Sequence, residues 1–443
     1  MRIQLSEHFS YKKLLRFVLP SIVMMIFTSI YSVVDGVFVS NFVGKTAFAA
    51  VNLIMPVTMG IGVIGFMLGT GGSAIVSKTL GEGDKQKANQ YFTMIAAATA
   101  MGGFILTVIG LIYIRPIAIA IGATENMLED CVLYGRIIIS AEIAFMLQNL
   151  FQSFFVTAEK PQVGLGITVL AGLTNIIFDT LFVAVLKWGV AGAAFATAVS
   201  QVVGGIVPVF YFMRKNDSLL KFTKTNIKLR ILLKACTNGS SELMTNLSSS
   251  IVNILYNFQL MKIAGEDGVA AYGVIMYVNF IFLAIYIGYS IGSAPVVGYH
   301  YGAANYDELK NLLKKSIAIV GVFGFVLTLS AIVLSSPLSK IFVGYDIELF
   351  EMTKHGFRLY ALSFLVSGFN VFGSAFFTAL NDGVISAAIS FLRTLFFQVI
   401  VVLILPIILG LNGIWLAVAA AELFTVIITV IFFVKNKKRY HYV

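Results

Sequence analysis

The chain has 443 residues, of which 58% are hydrophobic and only 12% charged, with a mean hydropathy of +0.92 and a formal net charge of +10. Soluble domains run about 45–50% apolar and about 25% charged, so this balance excludes a soluble globular fold and points to a polytopic membrane protein. Its 39 glycines and 38 phenylalanines lie in long apolar runs that suit packed helices; barrel strands would alternate over segments of about ten residues.

The N-terminal MRIQLSEHFSYKKLLR leads into an apolar run too long for a signal-peptide core, with no small-residue cleavage site behind it. It is expected to be retained. The run 17–42, FVLPSIVMMIFTSIYSVVDGVFVSNF, carries one charge, Asp35. As a helix it reaches about 39 Å, enough to cross a hydrocarbon core of about 30 Å with tilt. A carboxylate at that depth costs about 2.5–3.5 kcal/mol on insertion scales, so Asp35 is expected to face a partner or a water-filled cavity.

Apolar segments follow at 14–42, 47–77, 91–114, 129–156, 163–186 and 190–213, and resume at 231–263, 268–299, 313–335, 350–379, 384–409 and 413–434. About twelve transmembrane helices are expected. Most of the 31 lysines and arginines fall in the termini and alternate loops, which makes both termini cytoplasmic and explains the basic charge without nucleic acid. Between the two sets of six lies a polar, basic stretch, 214–230, read as a cytoplasmic linker between an N-lobe (1–213) and a C-lobe (231–443).

The two halves repeat each other. A shift of 221 residues lays AAVNLIMPV (49–57) on AAYGVIMYV (270–278) and FQSFFVTA (151–158) on FGSAFFTA (372–379). It also pairs Gly71 with Gly292, Gly81 with Gly302 and Pro116 with Pro337. Six helices per repeat give both halves the same orientation, related by a pseudo-two-fold axis along the membrane normal. The expected fold is therefore an all-α membrane protein of two six-helix lobes, the architecture of an alternating-access transporter.

Within GLGITVLAGLTNIIFDTLFVAVL, Asn175 and Asp179 share a face, which Thr168 and Gly172 extend. The next segment offers Thr197, Ser200 and Gln201. Carboxylates, an amide oxygen and a hydroxyl make a hard-oxygen site for a proton or Na⁺; the alternative is a hydrogen-bonded link between two helices. Glu142 and Glu422 are further carboxylates within spanning segments and are candidates to line a substrate cavity; Glu422 aligns with Gln201 in the repeat. The seventh segment could line a cavity through Asn246, Asn253 and Asn257, or bond to its neighbours. Met55 and Met276 could contribute to an adaptable apolar wall for a bulky ligand. Neither cysteine, Cys131 or Cys236, nor either of His300 and His355 has metal-ligand spacing, and no nucleotide or nucleophile motif stands out.

Pro20 with Asp35, NIIFDTLF (175–182), GAAFAT (192–197), GGSAIVSKTLGEGD (71–84) and GSAPVVGYHYGAAN (292–305) resemble, in order, the pattern of the multidrug and toxic compound extrusion (MATE) family. The resemblance covers 14–434. It implies two six-helix lobes in a V and substrate efflux driven by inward H⁺ or Na⁺, with no other cofactor. Carried over, it makes Asp35, Asn175, Asp179 and Thr197 the N-lobe coupling site and matches Pro20 to the proline about which the first helix bends. One branch of the family has acidic residues in the middle of its seventh and tenth helices. Here 359–381 contains no Asp or Glu, and Glu242 stands only near the inner end of the seventh segment. A C-lobe cation site is therefore not expected.

The expected activity is export of organic, cationic, amphiphilic compounds across a bacterial plasma membrane by a monomer that is not an enzyme. The alternative is a flippase for lipid-linked precursors, which would require basic residues in its cavity to bind pyrophosphate.

Overall fold

Hydrocarbon offers backbone N–H and C=O groups no partner, so a chain this apolar satisfies them within helices. The computed structural model describes residues 3–43 and 45–442. Arg2, one of the basic residues expected at the inner face, lies outside them. Among the described residues there is no strand.

The chain runs through α1 (Tyr11–Phe42), α2 (Lys45–Gly81), α3 (Lys85–Ala120), α4 (Glu125–Ser140), α5 (Glu142–Thr157), α6 (Pro161–Asp179) and α7 (Gly189–Met213). It continues as α8 (Leu229–Gly302), α9 (Tyr306–Val343), α10 (Ile347–Tyr360), α11 (Phe364–Ala379), α12 (Gly383–Phe391), α13 (Phe397–Leu409) and α14 (Leu411–Tyr440). Among the described residues, ten helices are long and apolar enough to cross a membrane. α8 has 74 residues, far too long for one crossing, and Gly265 turns it back with φ 65° and ψ −152°. The segments 231–263 and 268–299 expected from the sequence are its two arms. α4 and α5, broken only at Ala141, together make one further crossing, so the chain crosses twelve times in two lobes of six.

Lipid-facing surfaces are apolar, with Phe104, Ile112, Phe258 and Ile407 exposed. Polar caps set the ends in register: Asp84 accepts from the Lys87 N–H at 2.9 Å to start α3, and its repeat mate Asn305 accepts from the Glu308 N–H at 3.2 Å to start α9. From Arg214 to Lys228 the chain is non-helical. It runs along α3, where the Lys221 N–H donates to Asn89 Oδ1 (2.7 Å) and the Thr223 N–H to Thr93 Oγ1 (3.0 Å).

The lobes close on each other at the end that carries this strap. A Cβ on Gly81 would run into the Tyr299 carbonyl, and one on Gly302 into the Lys78 carbonyl. Gly81 and Gly302, like Lys78 and Tyr299, are 221 apart, so the two contacts are mates about the pseudo-two-fold axis. Higher up, Gly71 meets Ala235 and Gly239, while Gly292, its mate, meets Val18, the mate of Gly239. Backbone lies on backbone, and only glycine permits it. The N-terminal segment ties the same end together: the Leu5 N–H donates to Glu159 Oε1 (2.7 Å), the Phe9 N–H to Glu308 Oε1 (2.9 Å), and Lys315 Nζ to the Phe9 carbonyl (2.6 Å).

α1 divides its allegiance. Leu14, Phe17, Val18, Ile22 and Met25 belong to the apolar core of the second lobe, while its upper half packs on α6, where Phe27 and Tyr31 lie over Gly172. Pro20, buried, is accommodated within an unbroken α1.

A larger side chain at Gly302 should pry the closed end apart. Gly302→Val is expected to destabilise this arrangement by about 1–3 kcal/mol, as overpacking does elsewhere. Spin labels at Lys87→Cys and Lys310→Cys should then report a longer distance component. An unchanged distance distribution with unchanged thermal stability would show that the close approach is dispensable.

Candidate functional site

Asp35 stands on the upper half of α1, opposite α6 and α7. Thr197 Oγ1, from α7, donates to Asp35 Oδ1 at 3.3 Å, and Asn175 Nδ2, from α6, reaches Thr197 Oγ1 at 3.5 Å. Asp179, one turn beyond Asn175, is fully buried, and it neighbours Asp35 where α1 packs on α6. Immediately after Asp179 the helix widens into a π-helical segment, Thr180–Val185, a departure common where helices carry function.

Two neighbouring carboxyls repel when both are ionised and attract when one keeps a proton. Neither Asp179 oxygen has a hydrogen-bond partner among the described residues, and neither does Asn175 Oδ1. The cluster offers oxygen ligands only. It can hold one proton between two carboxyls, or a small hard cation such as Na⁺ among Asp35, Asp179, Asn175 and Thr197. Among the described residues no group of three His, Cys, Asp or Glu side chains could hold a metal ion.

The four residues named from the sequence are thus brought together. Sequence reasoning missed Tyr31 and Gln148: the Tyr31 phenol, one turn below Asp35, meets the Gln148 amide of α5. The signal available was the spacing of Gln148 and Gln152, four apart on one face of a largely apolar run that also holds Asn149 and Ser153.

The other candidates part company with that cluster. Glu142 and Glu422, expected at a substrate cavity, are buried inside the helix packing at 0% and 2% exposure. Glu142 opens α5 beside Gly62, and neither of its oxygens has a hydrogen-bond partner among the described residues. Glu422 is fully engaged. Arg393 Nε donates to its Oε1 at 2.8 Å and Asn370 Nδ2 to its Oε2 at 2.7 Å, while Thr429 Oγ1 donates to Asn370 Oδ1 at 2.9 Å. Arg393 sits in a second π-helical segment, Leu392–Phe396. Asn246 is exposed but its amide donates back to the Glu242 carbonyl (2.9 Å). Asn253 accepts from the Tyr272 hydroxyl (2.9 Å), whose ring stacks on Tyr256 at 5.1 Å. Asn257 is exposed, and Met55 and Met276 are half-buried.

The sequence model of the MatE family matches this chain twice, over residues 20–181 and 243–405. A multidrug export protein, MepA, of Staphylococcus haemolyticus is 24% identical over 382 residues, covering 84% of this chain and 82% of the relative. The MepA of Staphylococcus saprophyticus is 22% identical over 411 residues, covering 91% and 88%. The outward-facing conformation of a multidrug resistance MATE family transporter superposes with a TM-score of 0.93 at 23% identity over 99% of this chain and 98% of that one. A MATE in a bent conformation gives 0.88 at 23% identity over 97% and 96%. At this identity the structural likeness establishes the fold.

Removing Arg393 would strand the buried Glu422 carboxylate. Arg393→Leu is expected to cost about 3–5 kcal/mol, whereas Arg393→Met with Glu422→Leu should recover most of that loss. Apparent Tm in detergent measures both. A single variant as stable as the parent would mean that Glu422 does not depend on its partner.

Proposed function

This chain belongs to the MatE family, and from that premise we propose that it is a secondary antiporter that exports organic, cationic, amphiphilic compounds in exchange for inward H⁺ or Na⁺. The relatives' names as multidrug export proteins support the cargo class. The observation that supports the coupling is that Asp35 and Asp179 neighbour each other inside a helical lobe, with Thr197 bonded to Asp35 and Asn175 reaching Thr197. Carboxyls held away from bulk water without a basic partner favour taking up a proton or a cation. When they do, the α1–α6 contact changes from repulsive to attractive. α1 carries that change toward the lobe interface, because its lower half packs against Gly288 and Gly292 of α8.

Both termini, the linker and the glycine-closed end are assigned to the cytoplasm of a bacterial cell by the excess of Lys and Arg there. The arrangement described is then shut inward. The lobes rock about the site between them, and the protein acts as a monomer without catalytic activity or a further cofactor. An inward unit charge supplies about 2.3 kcal/mol per 100 mV. Exchange of one such ion for one monovalent cation moves no net charge, so the ion gradient alone drives it; a second inward ion adds the membrane potential. A flippase is disfavoured, since Arg393, a basic residue within the second lobe, is already held by Glu422.

In proteoliposomes with separately imposed pH and Na⁺ gradients, Asp35→Asn and Asp179→Asn should each abolish gradient-driven movement of a fluorescent organic cation. Undiminished, ion-dependent transport in both variants would overturn the site. Flipping of a lipid-linked sugar, with neither gradient moving any cation, would favour the other reading.

A further inference from the structure

The closed end holds a charged feature that neither the coupling site nor the glycine contacts use. Between the foot of α1 and the start of α6 lies a cavity of about 230 Å³, bordered by Arg16, Glu159, Lys160 and Gln162. Among the described residues, the side chains of Arg16 and Lys160 take part in no hydrogen bond or ion pair. Glu159 is only 6% exposed, and its Oε1 accepts the Leu5 N–H at 2.7 Å, so its charge is partly met within the protein.

Two cations on one cavity repel each other, and an anion between them reverses the sign of that interaction. A phosphate suits the pair, because its oxygens accept charge-assisted hydrogen bonds from a guanidinium and an ammonium together. α6 begins at the same rim with Pro161 and no side-chain cap, so its dipole adds to the attraction. The surroundings select the source of the phosphate. Leu15, Leu19 and Val23 form an exposed apolar stripe on α1 that starts beside Arg16, and Leu170, Leu173 and Ile177 continue the exposed face of α6 that starts at Gln162. A basic pocket between spanning helices, opening onto lipid-facing apolar surface, matches a phospholipid with its phosphate at the rim and its acyl chains along the stripes.

We propose that this cavity binds the headgroup of an anionic phospholipid, whose phosphate is held by Arg16 and Lys160 in the leaflet that the closed end meets. A zwitterionic lipid fits less well, because its own ammonium group adds a third positive charge. The site holds whichever ion drives transport. It also joins the lobes: Phe17 and Val18, beside Arg16, belong to the apolar core of the second lobe, whereas Lys160 lies between α5 and α6 of the first. A phosphate between them braces the arrangement in which Gly81 and Gly302 are closed.

Native mass spectrometry of the full-length protein with added phosphatidylglycerol or phosphatidylcholine tests the site. Phosphatidylglycerol should bind about tenfold or more tightly, and Arg16→Gln with Lys160→Gln should remove that preference. Lys437→Gln with Lys438→Gln, which takes the same charge from the end of α14, should leave it intact. In the parent protein, phosphatidylglycerol but not phosphatidylcholine should slow acylation of Lys160. A preference that survives the first double variant, or that both double variants lose equally, would overturn the site. Acylation equally fast in both lipids would overturn it without any variant. Displacement of phosphatidylglycerol by millimolar sn-glycerol 1-phosphate would mean a site for a free anion and overturn the lipid. In nanodiscs, spin labels at Lys87→Cys and Lys310→Cys should show less of any longer distance component in phosphatidylglycerol than in phosphatidylcholine. Identical distributions would overturn the brace while the binding data still decide the site.

Discussion

A carboxyl group inside a hydrocarbon-spanning helix bundle has no solvent to stabilise its charge, and much of this molecule follows from where it puts those that it has. The first lobe sets Asp35 beside Asp179 and surrounds them with an amide and a hydroxyl, leaving oxygens of Asp179 and Asn175 unclaimed. The second lobe gives Glu422 a guanidinium and an amide at hydrogen-bond distance. The first arrangement leaves acceptors without donors. The second is complete as it stands.

That contrast stands beside contacts that the two lobes make in matched pairs. The contacts of Gly81 with Tyr299 and of Gly302 with Lys78 are the same contact made twice about one axis. Asp84 and Asn305 cap equivalent helices. Duplication preserved what holds the lobes together, where both copies face the same packing requirement. It did not preserve the interior polar groups, where each lobe meets a different electrostatic one. The π-helical segments next to Asp179 and around Arg393 stand beside the buried charges of each lobe but are not at matched positions.

α1 joins the two levels. One turn separates Asp35 from Tyr31, and a few turns below, Val18 and Ile22 lie on the glycines of α8. A change in charge at the top of the helix and a change in lobe packing at its foot are therefore felt by one rod of hydrogen-bonded backbone. Buried Pro20 removes one rung of that rod near its foot, at the level where α1 meets the other lobe.

Much of this was legible in the sequence. Apolar length set the crossings, even where α8 runs as one helix through the Gly265 reversal, because a span is limited by bilayer thickness. The fixed offset of 221 exposed the two lobes, and the stripe of Asn175 and Asp179 at helical spacing located half of the candidate site. Periodicity says which face a residue is on, but not what that face meets. The sequence could not tell that Glu142 and Glu422 are enclosed, that Arg393 from another helix reaches Glu422, or that Arg16 and Lys160 border one cavity. Composition and repeat pattern determined a two-lobe helical membrane protein with Asp35 needing partners. Only the packing of helices distant in sequence decided which carboxyls are paired with a base and which are left with each other, because that pairing depends on ångström-scale distances no single helix encodes.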